Sequence, residues 1–419
     1  MLVRISLQNG LQGCDNMDYK ELLLKSISSD KYYNNTDLRM NKKYNIMLSN
    51  IELEEYIRFK EEYNSNDKIE TSLIPWNSNM IYLYKSKELL SKINDYFEFF
   101  KDINIKDEIN PEVLLGIICS ELEGTLQIEG VNTTRKQIEK IIKNNNPKDK
   151  NEKIIINMLN GLNFIKEAKE FNKDTLKELY TLLSDGCLNK EDEIKNSYYR
   201  NDMVYVSKYE GCPVDKIEEC MHSLFDFINK NINTKDSTLK LLLPFIAHYY
   251  IIYIHPYFDY NGRTARMVQI WIFMLTNNME SLYLSEAIND NKNNYYKAIE
   301  NTRDSKNDLT YFITYLIDLI NKYSVVSKNL DEIKEELEQE GESISVNELF
   351  YLKRIIINKN MKWFNYKKFI EIEGLDMTKQ GALKILNKFE KKGFLLSKIN
   401  SKNEKIFILD ESILKYEIR

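Results

Sequence analysis

"HPYFDYNGRTAR", residues 255–266, sets a histidine, a carboxylate, an Asn–Gly pair and two arginines between two apolar runs. The run before it, "LLLPFIAHYYIIYI" (241–254), and the one after, "TARMVQIWIFMLTN" (264–277), read as buried helices. The loop between them therefore sits at a helix N-terminus. Unpaired backbone N–H groups and the helix dipole receive anions there. Asn261 and Gly262 supply turn chemistry and let the backbone approach a ligand closely. Arg263 and Arg266 are three apart and share a helix face, which suits a polyphosphate. Asp259, just before the turn, is the type of lone carboxylate that holds Mg2+ beside phosphates. His255 can take a proton at neutral pH. A base, a metal ligand and a phosphate cradle are what phosphoryl or nucleotidyl transfer requires.

The whole chain is consistent with a multidomain globular protein. Its 419 residues exceed one ordinary core, and its 59 basic and 64 acidic side chains leave a net charge of only −5. Nothing global points to nucleic acid or membrane. The five cysteines, Cys14, Cys119, Cys187, Cys212 and Cys220, are sparse and irregular, which fits a reducing compartment and a cytoplasmic location. Cys212, Cys220 and His222 match no common zinc spacing. "LQGC" (11–14) has a lipoprotein-like outline, but the residues before it are too polar for a leader. The run 241–254 is shorter than the roughly twenty residues a bilayer span needs and holds Pro244 and His248.

The pattern along the chain predicts a mainly α protein. Residues 1–105 read as a helical N-terminal extension without a chemical motif, with "IPW" (74–76) as an interruption. A helix is expected over 111–130, opened by Pro111 and stopped by Gly130. Residues 197–209, "SYYRNDMVYVSKY", alternate and are aromatic-rich, which predicts a short strand pair. Helices return to about residue 323, and 326–342 reads as a charged helical linker. Over 343–419, three short helices precede two strands around a polar turn, the element order of a winged helix-turn-helix.

The opening stretch resembles the signature of the Fic (Fido) family, His-Pro-Phe-x-Asp/Glu-Gly-Asn-Gly/Lys-Arg-x-x-Arg. It matches at His255, Pro256, Asp259, Asn261, Gly262, Arg263 and Arg266. Tyr257 stands where Phe is usual. Tyr260 stands where the family has Gly, and is strained if that position needs a positive φ. "YYRNDMVYV" resembles the family's flap, which aligns a target segment by strand addition and here would comprise Val204, Tyr205 and Val206. "NNYYKAIENTR" (293–303) resembles the region that supplies a tyrosine to the nucleotide base, here Tyr296. The resemblance covers about 106–325 and implies a helical Fic core with a short β-hairpin flap. It implies transfer of AMP from ATP, with Mg2+, to a hydroxyl of a target protein or of the chain itself. His255 would be the base and Asp259 the metal ligand. Asn261, Gly262, Arg263 and Arg266 would bind the phosphates. Family members often dimerise. The signature alone also admits another nucleotide or phosphate donor.

"TLQIEG" (125–130) resembles the family's inhibitory pattern, with Thr125, Glu129 and Gly130 in its fixed positions. Glu129 would then pair with Arg266 and occupy the guanidinium that a γ-phosphate needs. A carboxylate at a helix C-terminus opposes the dipole, which is unusual as mere decoration. In the C-terminal module the expected recognition helix is 377–392, with Thr378, Lys379, Gln380, Lys384 and Asn387 outward and Leu383, Leu386 and Phe389 inward. From 346 to 419 there are 16 Lys/Arg against 9 Asp/Glu, a modest excess that admits DNA as a partner, while a protein-docking or dimer-forming winged helix is the competing reading of this module. For the whole chain, a DNA-binding regulator with an inactive Fic core is the rival reading.

Overall fold

The computed structural model describes residues 31–35, 39–41, 46–77, 79–100, 111–131, 133–144, 146–194, 196–206, 209–276, 284–358, 363–373 and 377–416. Cys14 and the "LQGC" stretch lie outside them, as do residues 207–208 of the expected strand pair. The fold is mainly helical, with a few short antiparallel hairpins. The chain forms two compact units, Met1–Ile317 and Asp318–Arg419.

Among the described residues of the first unit, β1 (Met40–Asn41) and β2 (Ile46–Met47) precede α1 (Asn50–Tyr63). Ser49 and Glu52 close a reciprocal capping box on α1. Next come β3 (Lys68–Glu70), paired antiparallel with β4 (Tyr82–Tyr84), and α2 (Lys87–Phe100). The N-terminal extension is thus not wholly helical. Three-residue strands separated by eleven residues carry too little period-two pattern to be read locally. A buried lysine joins this extension to the core. Lys60 lies 3.8 Å over the Tyr32 ring and donates to the Tyr311 hydroxyl. Burial lowers its pKa to about 8, against the opposing charge of Asp308.

The helical core comprises α3 (Pro111–Ile128), α4 (Arg135–Asn144), α5 (Lys150–Glu167) and α6 (Lys173–Ser184). The strands β5 (Tyr205–Val206) and β6 (Tyr209–Glu210) precede α7 (Val214–Asn231), α8 (Ser237–Ile254) and α9 (Asn261–Leu275). Then come α10 (Leu284–Asp290), α11 (Lys292–Asp304) and α12 (Thr310–Gln339), whose residues from Asp318 onward belong to the second unit. The expected strand pair is shorter than its sequence suggested. Residues 197–203 form no strand, with bends at 197–199 and 201–202, and between them Arg200 turns inward and is 2% exposed. The seven-residue α10 is under two turns long and has little periodicity to show in sequence.

Helix α8 is the centre of this unit. Every residue from Leu241 to Ile254 is buried. Among the described residues it is the one helix long and apolar enough to cross a membrane, and 78% of it is covered by the protein itself. It packs against α9, whose Trp271 is fully buried between Phe164 and Phe171 and donates to the Ala168 carbonyl at 2.8 Å. Burial of one such side chain stabilises by roughly 1.5–3 kcal/mol. Two apolar helices fixed in this way hold the six-residue loop between them in place.

In the second unit, α13 (Val346–Ile357), α14 (Tyr366–Glu373) and α15 (Lys379–Lys391) precede the antiparallel pair β7 (Leu395–Ile399) and β8 (Lys405–Leu409). Residues 326–339 of the expected linker continue α12. Within this unit, Tyr416 and Asn329 exchange two hydrogen bonds of 3.0 Å. On α15, Thr378, Lys379, Gln380 and Lys384 are exposed. Leu386 and Phe389 are buried, whereas Leu383 and Asn387 are half-buried.

Candidate active site

The loop from His255 to Tyr260 is held from inside. The Asn261 side-chain amide donates to the Tyr257 carbonyl at 2.8 Å, and its oxygen accepts the Tyr257 N–H at 3.0 Å. Tyr257 is buried and stacks on Tyr180 at 3.7 Å. Within this loop two non-glycine residues adopt the left-handed conformation, His255 at φ 54° and Tyr260 at φ 67°. The conformation costs each about 1–2 kcal/mol relative to the right-handed one, so the surrounding packing must impose it.

Arg200 imposes part of it. This residue, quoted within the flap stretch but given no role there, donates to the carbonyls of His255 at 2.8 Å, Asp202 at 2.6 Å and Cys212 at 2.5 Å. Its own backbone N–H donates to the Pro256 carbonyl at 3.0 Å. The Cys212 N–H reaches the Ile254 carbonyl at 3.1 Å. The base of the β5–β6 hairpin is therefore tied to the histidine loop. Across that hairpin Gly211 N–H donates to the Val204 carbonyl at 2.9 Å. Strand alternation then turns the backbone groups of Tyr205 to the open edge, and its ring is 71% exposed.

His255 is half-buried, and its Nδ1 has no hydrogen-bond partner among the described residues. Burial, then the nearby charges of Arg303 and Arg200, lower its pKa to about 4. The imidazole is neutral at pH 7 and can accept a proton. Arg303 lies beneath the hairpin, 4.7 Å from the Tyr209 ring, and donates to the Ile252 carbonyl at 3.1 Å.

Glu129 and Thr125 of the α3 segment meet Arg266 of α9. Arg266 is 3% exposed. Its Nε donates to Thr125 Oγ1 at 2.8 Å, and one Nη donates to Glu129 Oε1 at 2.6 Å and to the Thr125 carbonyl at 3.4 Å. The helix end sets this position. The Val131 N–H bonds to the Leu126 carbonyl and Gly130 N–H to the Gln127 carbonyl, both at 3.0 Å, with Gly130 at φ 80°. This is the paired bonding of a Schellman stop, which needs a left-handed residue after the cap. A Cβ on Gly262 would lie 2.6 Å from Glu129 Oε1, so the carboxylate sits against the N-terminal turn of α9. Burial raises the Glu129 pKa, but the Arg266 charge and hydrogen bond, with Arg263 and Lys292, outweigh it and hold the carboxyl below its usual range.

Neighbouring groups fix α3 in this pose. Lys292 donates to the Ile128 carbonyl, and buried Glu121 accepts the Ser285 N–H at 2.9 Å. Sequence reasoning had marked neither, because their partners are backbone groups far along the chain. Tyr296 is 45% exposed, and the charges of Glu129 and Arg266 both reach it. Below Arg266, buried His248 bonds to Gln269 and to the Tyr295 hydroxyl, and burial lowers its pKa to about 3. It is a core histidine.

Asp259 is half-exposed. Its Oδ1 accepts the Tyr260 N–H at 2.6 Å and lies 3.8 Å from Arg263. Among the described residues no group of three or more His, Cys, Asp or Glu could hold a metal. One accessible carboxylate beside an anion-receptive helix end still fits Mg2+, which takes one or two protein oxygens and completes its shell with water and phosphate. Cys212 and Cys220 are buried, whereas His222 is exposed and pairs with Asp226.

Residues 170–273 match the model of the Fic/DOC family. That span holds the hairpin, the histidine loop and α9 as far as Phe273. A stretch of 109 residues is 28% identical to the "Protein adenylyltransferase fic-1" of Caenorhabditis briggsae, covering 26% of this chain and 20% of that protein. Another, of 78 residues, is 35% identical to the "Protein adenylyltransferase Fic" of Nematostella vectensis, covering 18% and 17%. The chain thus spans about a fifth of the length of these curated relatives. A solved Fic family protein from Desulfovibrio desulfuricans G20 aligns with a TM-score of 0.51 at 16% identity, over 79% of this chain and 97% of that one. At that identity the likeness is one of fold. The Fic fold therefore places the His255 loop between its two central helices.

Proposed function

We propose that the protein is an autoinhibited protein adenylyltransferase that moves AMP from ATP to a Ser, Thr or Tyr hydroxyl of a target protein or of itself. The observation that carries this reading is the Glu129 carboxylate, seated on Arg266 and against Gly262. An acidic group already occupies the cationic helix end that a triphosphate would use.

In the reaction, the target hydroxyl oxygen forms a bond to the α-phosphorus of ATP. The bond from that phosphorus to the α–β bridging oxygen breaks, and pyrophosphate leaves. Neutral His255 takes the hydroxyl proton. The α9 N-terminal amides, Gly262 and Arg263 would receive the phosphates, and Arg266 the γ-phosphate once Glu129 withdraws. Tyr296 would face the base. Asp259 would hold Mg2+, which when bound supplies charge neutralisation on the phosphates. Target backbone would add along the Tyr205 edge of the flap. With Glu129 in place, ATP could enter only with its α-phosphate off line, and a displacement of about 1 Å can cost roughly a hundredfold in rate.

Labelling with α-³²P-ATP and Mg2+, with and without lysate, tests this in wild type, Glu129→Gly and His255→Ala. Faint label in wild type, strong label in Glu129→Gly and none in His255→Ala is the expected pattern. No gain in folded Glu129→Gly would sink the autoinhibition. Label from the γ-phosphate alone would make the protein a kinase instead. The rival reading as a DNA-binding regulator has less support. Three lysines of the C-terminal unit, Lys388, Lys392 and Lys405, are paired with Glu348, Glu342 and Glu390, which leaves Lys379, Lys384 and Lys391 exposed on the expected recognition helix. A salt-sensitive shift of random duplex DNA would favour that reading.

A further inference from the structure

We propose that Tyr260 is a positioning residue that holds the Arg263 guanidinium flat so that its edge can receive phosphate oxygens. The inference rests on the nucleotide-transfer reading and deepens it.

Tyr260 stands where the related signature has glycine, and its backbone adopts the conformation glycine favours, φ 67° and ψ 7°. A tyrosine is retained there despite the strain, so its side chain must contribute something a hydrogen atom would not. The ring is 2% exposed, and the Arg263 guanidinium carbon lies 3.4 Å from its centroid. This is a close cation–π stack. Burial, ahead of the opposing Arg263 charge, keeps the phenol neutral.

The stack leaves Arg263 unusually placed. The residue is 6% exposed, and its Nε and one Nη are buried with no hydrogen-bond partner among the described residues. Its other Nη lies 3.8 Å from Asp259 Oδ1, too long for a good hydrogen bond. Buried donors without partners are costly. Arg263 lies next to Gly262, at the α9 N-terminus, and its charge is felt by the Glu129 carboxylate seated there. The face of the guanidinium is held by the ring, and its N–H edge remains for an anion. Free arginine side chains lose much rotamer entropy on binding; one fixed beforehand by an aromatic face loses less. The ligand chemistry is a polyphosphate, and Tyr260 acts on its affinity through Arg263.

The test is made in the full chain carrying Glu129→Gly. Binding of Mg·ATP and of inorganic tripolyphosphate is measured by calorimetry, and KM and kcat for AMP transfer are measured alongside. Tyr260→Phe keeps the ring and should match the parent within about twofold. Tyr260→Leu keeps apolar bulk without a π face and should weaken both ligands about three- to thirtyfold, the range of a desolvated cation–π contact. KM for ATP should rise to match while kcat stays within about threefold. Tyr260→Gly, which the backbone accepts without strain, should behave as Leu does and keeps the test valid if Leu does not fold. Equal affinity in the Phe, Leu and Gly variants overturns the role of Tyr260 and leaves the nucleotide reading standing. If the parent binds neither ligand, the phosphate site itself falls, and this inference with it.

Discussion

Glu129 and Arg266, 137 positions apart in sequence, are joined at 2.6 Å, with the arginine 4% and the carboxylate 28% exposed at the side chain. The same guanidinium also binds Thr125, so two polar side chains of one helix end, Thr125 and Glu129, grip one cation. Removing the carboxylate leaves a buried charge without its counterion. Glu129→Gln is expected to cost about 1–2 kcal/mol, below the usual figure for a fully buried pair because the carboxylate is partly wet. Differential scanning calorimetry would read this as a lower Tm. Mg·ATP should then raise the Tm of the variant more than that of wild type, because phosphate replaces the lost anion. Equal ligand shifts in the two proteins would separate Glu129 from the nucleotide site.

His255 carries a pKa of about 4 in place of the ordinary 6.5. Between those values the unfolded chain binds more protons than the native one, so this group's contribution to stability is lost as pH falls from 6.5 towards 4. The acid limb of kcat/KM, measured in Glu129→Gly, should accordingly lie well below pH 6.5. Arg303→Met removes the largest charge acting on the imidazole and should move that limb upward. A limb near 6.5 in the parent, unmoved by Arg303→Met, would remove His255 from the role of base.

Arg200 spans three carbonyls from two segments, and only a planar fork can satisfy all three. Arg200→Lys keeps the charge but can reach at most part of this set. The expected loss is about 2–4 kcal/mol, from unsatisfied buried carbonyls. Transfer in the Glu129→Gly background should fall about a hundredfold through displacement of the His255 loop. Urea unfolding and labelling kinetics check the two effects separately. A stable variant with intact kcat would show that the loop holds its shape without the hairpin.

The parts of the site legible in sequence are those whose geometry is local. Asn261 and Tyr257 bracket one tight loop, and Leu126, Gln127, Gly130 and Val131 close one helix stop. Spacing within a few residues encodes both. The strand pair read over 197–209 was too long because its alternation had a different cause. Tyr199 and Arg200 are buried in an irregular turn-rich segment, not on a pleated sheet. The roles of Arg200, Lys292 and Glu121 were not legible, since each engages backbone groups brought close only by the fold. The Tyr260–Arg263 stack is a mixed case. The strain could be anticipated from the residue type, but the contact that makes use of it could not.

Glu121 yields a prediction about the pH dependence of folding. It is 4% exposed, and burial pushes its pKa up to about 7, against the Ser285 hydrogen bond and the Arg266 charge and with the help of Glu286. An acid raised in the native state binds protons there that the unfolded chain has already released. Between about pH 4.5 and 7 the native state therefore holds more protons, and stability falls as pH rises through that window. The penalty is complete above pH 7 and is on the order of 3 kcal/mol. Glu121→Gln keeps an oxygen to accept the Ser285 N–H and carries no charge to bury. It should be more stable than wild type at pH 8, nearly equal at pH 5, and flatter between them. Denaturant unfolding at the two pH values measures this directly. The same slope in both proteins would mean that the Glu121 carboxylate is ionised in the native state and matched there by the Ser285 N–H and the Arg266 charge.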